Sequence, residues 1–185
     1  MATTRERMLD TTGRLLQHQG YAATGLNQVV AESQAPKGSL YFHFPGGKEQ
    51  LAAEALERSG QSWTGSLDEV LASARTTAGA MRRWVRLLAT QLEATDFAAG
   101  CPVATVALEA APHSDAISTA ATQVYASWVA LIRARLEDEG VASSRARTAA
   151  VAAVAAIEGA LVLSKSSRDT TALRQAETYL RDLLS

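Results

Sequence analysis

One cysteine, Cys101, is the only thiol in this chain of 185 residues. It cannot close an internal disulfide or build a cysteine-based zinc site, and such sparing use of cysteine fits the reducing cytoplasm. Histidine is almost as scarce: His18, His43 and His113 lie scattered along the sequence. We find no metal-ligand spacing, no nucleophile beside a base and no glycine-rich phosphate loop after a strand, so a non-enzyme without cofactor or metal is expected. Aromatic residues make up 5% of the chain and prolines number four. The aromatic and β-branched stretches that mark strands are therefore missing, while alanine and other helix formers abound, which gives an all-α fold class.

An excess of one charge is lacking too. The formal net charge is −1, so the molecule is no polycation drawn indiscriminately to nucleic acid, and any DNA contact must be local. The most apolar run, AAVAAVAAI at residues 149–157, stops at Glu158, short of the ~20 residues a membrane span needs. No secretory signal is visible. A soluble, cytoplasmic protein with no membrane partner is expected.

What is present is a core. Hydrophobic residues are 47% of the chain and charged residues 20%, normal for a folded protein, and the length permits one or two domains. Helical spacing predicts a first helix from about Thr3 to Gln19, with Leu15 and Leu16 inward and Gly20 as a left-handed stop. Leu26, Val29 and Val30 predict a short second helix ending near Ser33, with Thr24 placed to cap it. Pro36 suits the first position of a third helix, whose inward groups are Leu40 and Phe44. A longer helix begins at Lys48 and reaches Ser59 or beyond, Gly60 and Gly65 leaving its end open. Further helices are expected around residues 81–92, 103–108 and 124–136, then over 143–165 and 170–184, with breaks at AAGCP, Pro112 and Gly140.

Three short helices, the second and third joined by the tight SQAP turn, form the pattern of a DNA-reading helix-turn-helix. Residues 1–48 carry Arg5, Arg7, Arg14, Lys37 and Lys48 against Glu6, Asp10 and Glu32, a local surplus of two positive charges. The stretch GYAATGLNQVVAESQAPKGSLYFHFPGGKEQL, residues 20–51, closely resembles the N-terminal signature of TetR-family regulators. The resemblance is carried by Gly20-Tyr21, Thr24, Val29, Ala31, Lys37-Gly38, Leu40-Tyr41, His43-Phe44, Lys48-Glu49 and Leu51. It implies a DNA-binding domain over 1–50 and a helical effector-binding and dimerisation domain over 51–185.

The resemblance also implies roles. Lys37, Gly38 and Ser39 would open the recognition helix and face base edges and nearby phosphates. Tyr41 and His43 would meet phosphate oxygens, Phe42 a thymine methyl or the backbone, and Asn27 a base. Lys48 at the start of the fourth helix and Thr24 on the second would hold phosphates. Ordinary surface charge is the competing reading for the two lysines, and a half-buried aromatic for Tyr41. Two departures stand out: Gln34 occupies the turn position where the family commonly has glycine, and Pro45-Gly46-Gly47 lengthens the connection before Lys48 by one residue.

The segment GCPVATVALEAAP, residues 100–112, resembles the C-terminal domain of the LmrA and YxaF subgroup. It implies a cavity for an apolar or aromatic small molecule. Trp63, Trp84, Leu88, Leu108, Tyr125 and Trp128 are the large groups available to line it, with Gln91, Cys101 and Glu109 as polar points; core packing competes at each. Glu109 selects a cationic ligand or pairs with Arg82, Arg83 or Arg86. Cys101 is a redox-responsive or an inert buried thiol. The last two helices, with Ala149, Ala150, Ala153, Ala156 and Ala160 among Val154, Ile157 and Leu161, then Leu173, Tyr179, Leu180 and Leu183, are expected to form a homodimer interface. The expected function is a repressor that binds palindromic double-stranded operator DNA as a homodimer and is released by a small-molecule effector. A constitutive or activating regulator and a helical small-molecule enzyme are the alternatives.

Overall fold

The computed structural model describes residues 2–184. Among the described residues there are nine α-helices, a 3-10 turn at Ala111–His113 and no strand. The helices are α1 (Thr4–Ala23), α2 (Leu26–Glu32), α3 (Ser39–His43), α4 (Gly47–Ala72), α5 (Thr77–Ala94), α6 (Pro102–Ala110), α7 (Asp115–Asp138), α8 (Ser143–Ser167) and α9 (Thr171–Leu183). They sort into two compact units. The first holds the chain up to Ser62 together with Cys101–Val124; the second holds Trp63–Gly100 and the chain from Tyr125 onward. The expected division after residue 50 thus differs from the observed one, because α6 packs on α1 and joins the N-terminal unit. Helices α4 and α7 contribute residues to both units.

In the first unit, Thr3 starts α1 with a capping box: its hydroxyl accepts from the Glu6 amide at 3.2 Å, and its own amide donates to the Glu6 carboxylate at 2.7 Å. Gly20 breaks the helix at φ 80, ψ 179, a region open essentially to glycine, and helical geometry resumes through Ala23. Thr24 does not cap α2. Its hydroxyl donates to the Gly20 carbonyl at 2.7 Å, and Gly25 stands at the α2 N-cap. Helix α4 continues beyond Ser59, running through Gly60 and Gly65 to Ala72, where the sequence left its end open. The reason at Gly60 is tertiary, since a Cβ there would lie 2.3 Å from a Val124 methyl on α7.

Gln34 adopts the left-handed conformation its turn position implies, with φ 53. Gln34→Gly should raise stability by roughly 0.5–1 kcal/mol, the relief of left-handed strain less the extra entropy glycine loses on folding. The carbonyl that Arg7 contacts is kept. A denaturation midpoint unchanged or lowered by this substitution would contradict the strain assigned to Gln34.

In the second unit α9 packs against both α5 and α8, around a core that includes Met81, Leu88, Leu92, Ile132, Leu136, Ile157 and Leu173. Arg86 bonds Glu177 at 2.8 Å, tying α5 to α9. Helix α8 is, by length and composition, apolar enough to cross a membrane, with a mean hydropathy of 1.7; the alanine-rich run expected to fall short continues into a 25-residue helix. Packing accounts for part of that apolar surface. Ala146, Ala149, Ala150, Ala153, Ile157, Ala160 and Leu161 are buried within the chain, as are Leu173 and Leu180 on α9. They therefore form an internal face, and the residues left outside on α8 are a different stripe: Val151, Ala155, Gly159 and Val162, beside Leu163.

Candidate nucleic-acid interface and effector cavity

The anchoring of α3 decides which of its groups face outward. On a helix of only five residues, Leu40 and the C-cap Phe44 turn inward and are 3% and 0% exposed. The Arg5 guanidinium lies over the Phe44 ring, 5.1 Å from its centroid, and pairs with Glu54. The intervening side chains must then point away from the core. Tyr41 is 64% exposed and Phe42 83%. Two adjacent exposed aromatics thus stand between buried anchors. The half-buried His43 ring sits edge-on to Phe42 at 5.1 Å and to Phe44 at 6.4 Å.

Lys37 and Gly38 precede α3 in a turn; they do not lie in its first helical turn, as Pro36 at a helix start had implied. Gly38 is the N-cap at φ 88, ψ −13, a left-handed backbone suited to glycine. No atom lies within 4 Å of where a Cβ would stand, so a nucleic-acid backbone has room to approach. Ser39 is half-exposed and its hydroxyl donates to the Pro36 carbonyl at 2.7 Å. Asn27 is exposed on α2. Between α2 and α3 an open groove of about 610 Å³ has Leu26, Val30 and Leu40 in its floor and Asn27, Gln34, Lys37 and Tyr41 among its walls.

Arg7 is the residue of this region that sequence reasoning missed. Its Nε donates to the Ser33 carbonyl at 3.1 Å and its guanidinium reaches the Gln34 carbonyl at 3.5 Å, binding the turn to α1. Nothing in the sequence distinguishes this arginine from a solvated surface charge. Other cations of the head are already matched: Arg14 pairs with Glu32 at 2.5 Å and Arg58 with Asp10 at 2.5 Å. The Arg14 and Gln28 side chains hold the Glu32 carboxyl below its ordinary pKa. Among the described residues no carboxylate pairs with Lys37 or Lys48.

Lys48 lies in the first turn of α4, as expected, but its ammonium donates to the Ala22 carbonyl at 3.3 Å and sits 4.4 Å from the Tyr21 ring centroid. Burial, with the Glu49 charge adding, pushes the Tyr21 phenol up, so it stays neutral beneath the cation. The Glu109 carboxylate reaches the same segment from α6, accepting from the Ala22 amide at 2.9 Å. That amide follows the break at Gly20, where an unsatisfied donor is expected. Glu109 thus caps the resumed turn, and Arg82 and Arg86 pair with Glu177 instead. Thr24 is 3% exposed with its hydroxyl committed internally, so the phosphate role implied for it has no exposed group to serve it.

The second unit contains a small cavity lined by Trp63, Leu67, Met81, Trp84, Trp128, Ile132, Val154, Ile157 and Glu158. Its volume is about 20 Å³, room for one water molecule. Trp63 is edge-on to Trp84 at 5.8 Å and stacked on Trp128 at 5.7 Å, while Tyr125 meets Trp128 edge-on at 5.4 Å. The Trp128 indole N–H donates to Thr64 at 3.0 Å, which fixes the ring. Three of the expected lining residues therefore meet, with Tyr125 behind them. Leu88 is core at 2% exposure, Gln91 is exposed, Leu108 is 76% exposed, and Cys101 is buried at the α6 N-cap. None of these four, nor Glu109, is a wall of this cavity. Glu158 was missed as its carboxylate, although a lone acid interrupting an alanine-rich run was the available signal.

Helices α2 and α3, joined by a tight turn and with the outer side of α3 exposed, have the arrangement of a helix-turn-helix, a DNA-binding class of fold. Two family profiles match the chain: the bacterial regulatory proteins of the tetR family over residues 8–55, and the LmrA/YxaF-like transcriptional regulator C-terminal domain over residues 77–179. The chain is 36% identical over 180 residues to the HTH-type transcriptional regulator LmrA of Bacillus subtilis, covering 97% of this chain and 96% of that one. It is 38% identical over 169 residues to the uncharacterized HTH-type transcriptional regulator YxaF of the same organism, covering 91% and 88%. The crystal structure of reduced Escherichia coli NemR superposes with a TM-score of 0.86 at 23% identity, covering 99% of this chain and 98% of that one; at that identity the likeness shows the fold. The protein belongs to the TetR family of DNA-binding transcriptional regulators, with a C-terminal domain of the LmrA/YxaF type.

Proposed function

We propose that this regulator is a repressor that binds palindromic operator DNA as a homodimer and lets go when a small hydrophobic or aromatic effector enters the tryptophan-lined cavity. The observation that carries the DNA half is the outward face around α3, where Lys37, Tyr41 and Phe42 stand exposed beside the buried anchors Leu40 and Phe44. A short helix enters the major groove with such side chains at base edges, and the flanking lysines hold phosphates. The exposed apolar stripe on α8 supports pairing, since a two-fold interface uses the same patch on both copies. Tyr179 of α9 is likewise an exposed large apolar group.

Release requires that the effector bind the DNA-incompetent state more tightly than the competent one. Helix α4 supplies both Lys48 of the head and Trp63 of the cavity wall, so displacing Trp63 acts on the helix that starts the head's fourth element. The reading is non-enzymatic, with the cytoplasm as its place of action.

Operator affinity measured by fluorescence anisotropy across about 50–200 mM salt should fall linearly on logarithmic axes, and Lys48→Ala should weaken binding to all duplexes and reduce the slope by about 1. A slope unchanged by Lys48→Ala would leave that ammonium with Ala22 and Tyr21 alone. An effector confirmed to bind the protein that leaves operator affinity unaltered would remove the switch.

A further inference from the structure

From the make-up of the cavity wall we infer that the effector is a flat organic cation, with the three indoles as its walls and Glu158 as its counter-charge. This rests on the proposed effector role of the cavity and adds the chemical class. Ordinary hydrophobic packing would be served by leucine or isoleucine; here all three tryptophans of the chain converge on one small space. Indole faces carry negative potential and attract cations more strongly than other side-chain rings. Glu158 is the sole acid in α8, whose charged residues are otherwise Arg145, Arg147 and Lys165, and it is this acid that faces the indoles. A carboxylate placed in an aromatic wall favours a positive ligand over a neutral one, and disfavours an anion strongly.

Geometry limits the shape. The Trp63 and Trp128 rings are nearly parallel, inclined by 26° with centroids 5.7 Å apart. A planar ring between them needs about 7 Å, two aromatic contact distances of ~3.5 Å. Parting the two indole faces to that spacing admits such a ring, whereas a globular molecule would need a wider opening still. Trp63 is the partner that moves more readily, because Trp128 is 5% exposed and tied to Thr64, while Trp63 is half-exposed.

The protein reports on its own cavity, since every tryptophan signal arises there. Intact protein would be titrated with N-methylpyridinium and with its neutral isostere, toluene, following tryptophan fluorescence, and the same samples assayed for operator binding. The cation should perturb the fluorescence with an affinity at least tenfold above that of the neutral compound, and Glu158→Gln should abolish that preference while leaving toluene binding intact. Retained binding of the neutral compound shows that the variant cavity is folded, and Glu158→Asp should restore part of the preference. Equal affinities for cation and isostere in the wild type, or a preference that survives Glu158→Gln, would overturn the cation assignment. In either of those cases, release of operator by toluene would leave the effector role of the cavity standing.

Discussion

Phe44→Ala should destabilise the DNA-binding unit by about 3–5 kcal/mol, whereas Phe42→Ala, two residues earlier, should leave stability within ~0.5 kcal/mol of the parent and weaken operator binding roughly tenfold. The two rings are chemically identical, so the contrast tests placement alone. Phe44 is 0% exposed and Phe42 83%. Truncating Phe44 leaves a cavity where the α3 C-terminus is pinned, and removes the ring over which the Arg5 guanidinium lies. A loss of that size is a large share of the 5–15 kcal/mol that holds a typical domain. Truncating Phe42 creates no cavity and removes only what the ring gives to a partner. Denaturant titration and anisotropy with operator duplex read the two effects separately. Equal destabilisation by both substitutions, or undiminished DNA binding by a folded Phe42→Ala protein, would contradict the assigned orientation of α3.

In the proposed homodimer, Val162→Asp should separate the two copies and lower operator affinity by more than about a hundredfold, the loss expected when two linked half-site contacts become one. Val162 belongs to the exposed α8 stripe with Val151, Ala155 and Gly159, spaced four, four and three residues apart on one side of the helix. Small residues there let two helices approach closely, and a two-fold axis would bring the two introduced carboxylates into the same desolvated patch, unpaired. Analytical ultracentrifugation gives the mass, and the melting temperature of the monomer controls for misfolding. A folded Val162→Asp protein that remains dimeric would place the interface elsewhere.

Much of the head was legible because its signals are local. The break at Gly20, the left-handed turn at Gln34 and the spacing of Leu40 and Phe44 each depend on neighbours within one or two turns. What escaped depends on contacts made far along the chain. Gly60 reads as a helix end until Val124 occupies the space its side chain would need. Glu109 reads as a partner for arginine until the helix break at Gly20 leaves the Ala22 amide to be capped from α6. Thr24 reads as the cap of α2, but its hydroxyl donates back to the Gly20 carbonyl and Gly25 takes the N-cap position. In α8, alanine on nearly every side erases the periodicity that would tell the inward face from the outward one. The aromatic cavity was half legible: three tryptophans and a tyrosine converge as expected, yet the carboxylate beside them is Glu158, whose spatial neighbours are set by the packing of α8.

The most direct test of the central claim, that the exposed face of α3 reads duplex DNA as one of a symmetric pair, is selection of bound duplexes from a random pool with the purified protein. The account predicts an inverted repeat whose half-sites lie about one helical turn, or a related spacing, apart. It also predicts that Phe42→Ala changes base preference within the half-sites and leaves their separation unaltered. Recovery of a single unrepeated sequence, or no enrichment over the starting pool, would contradict it.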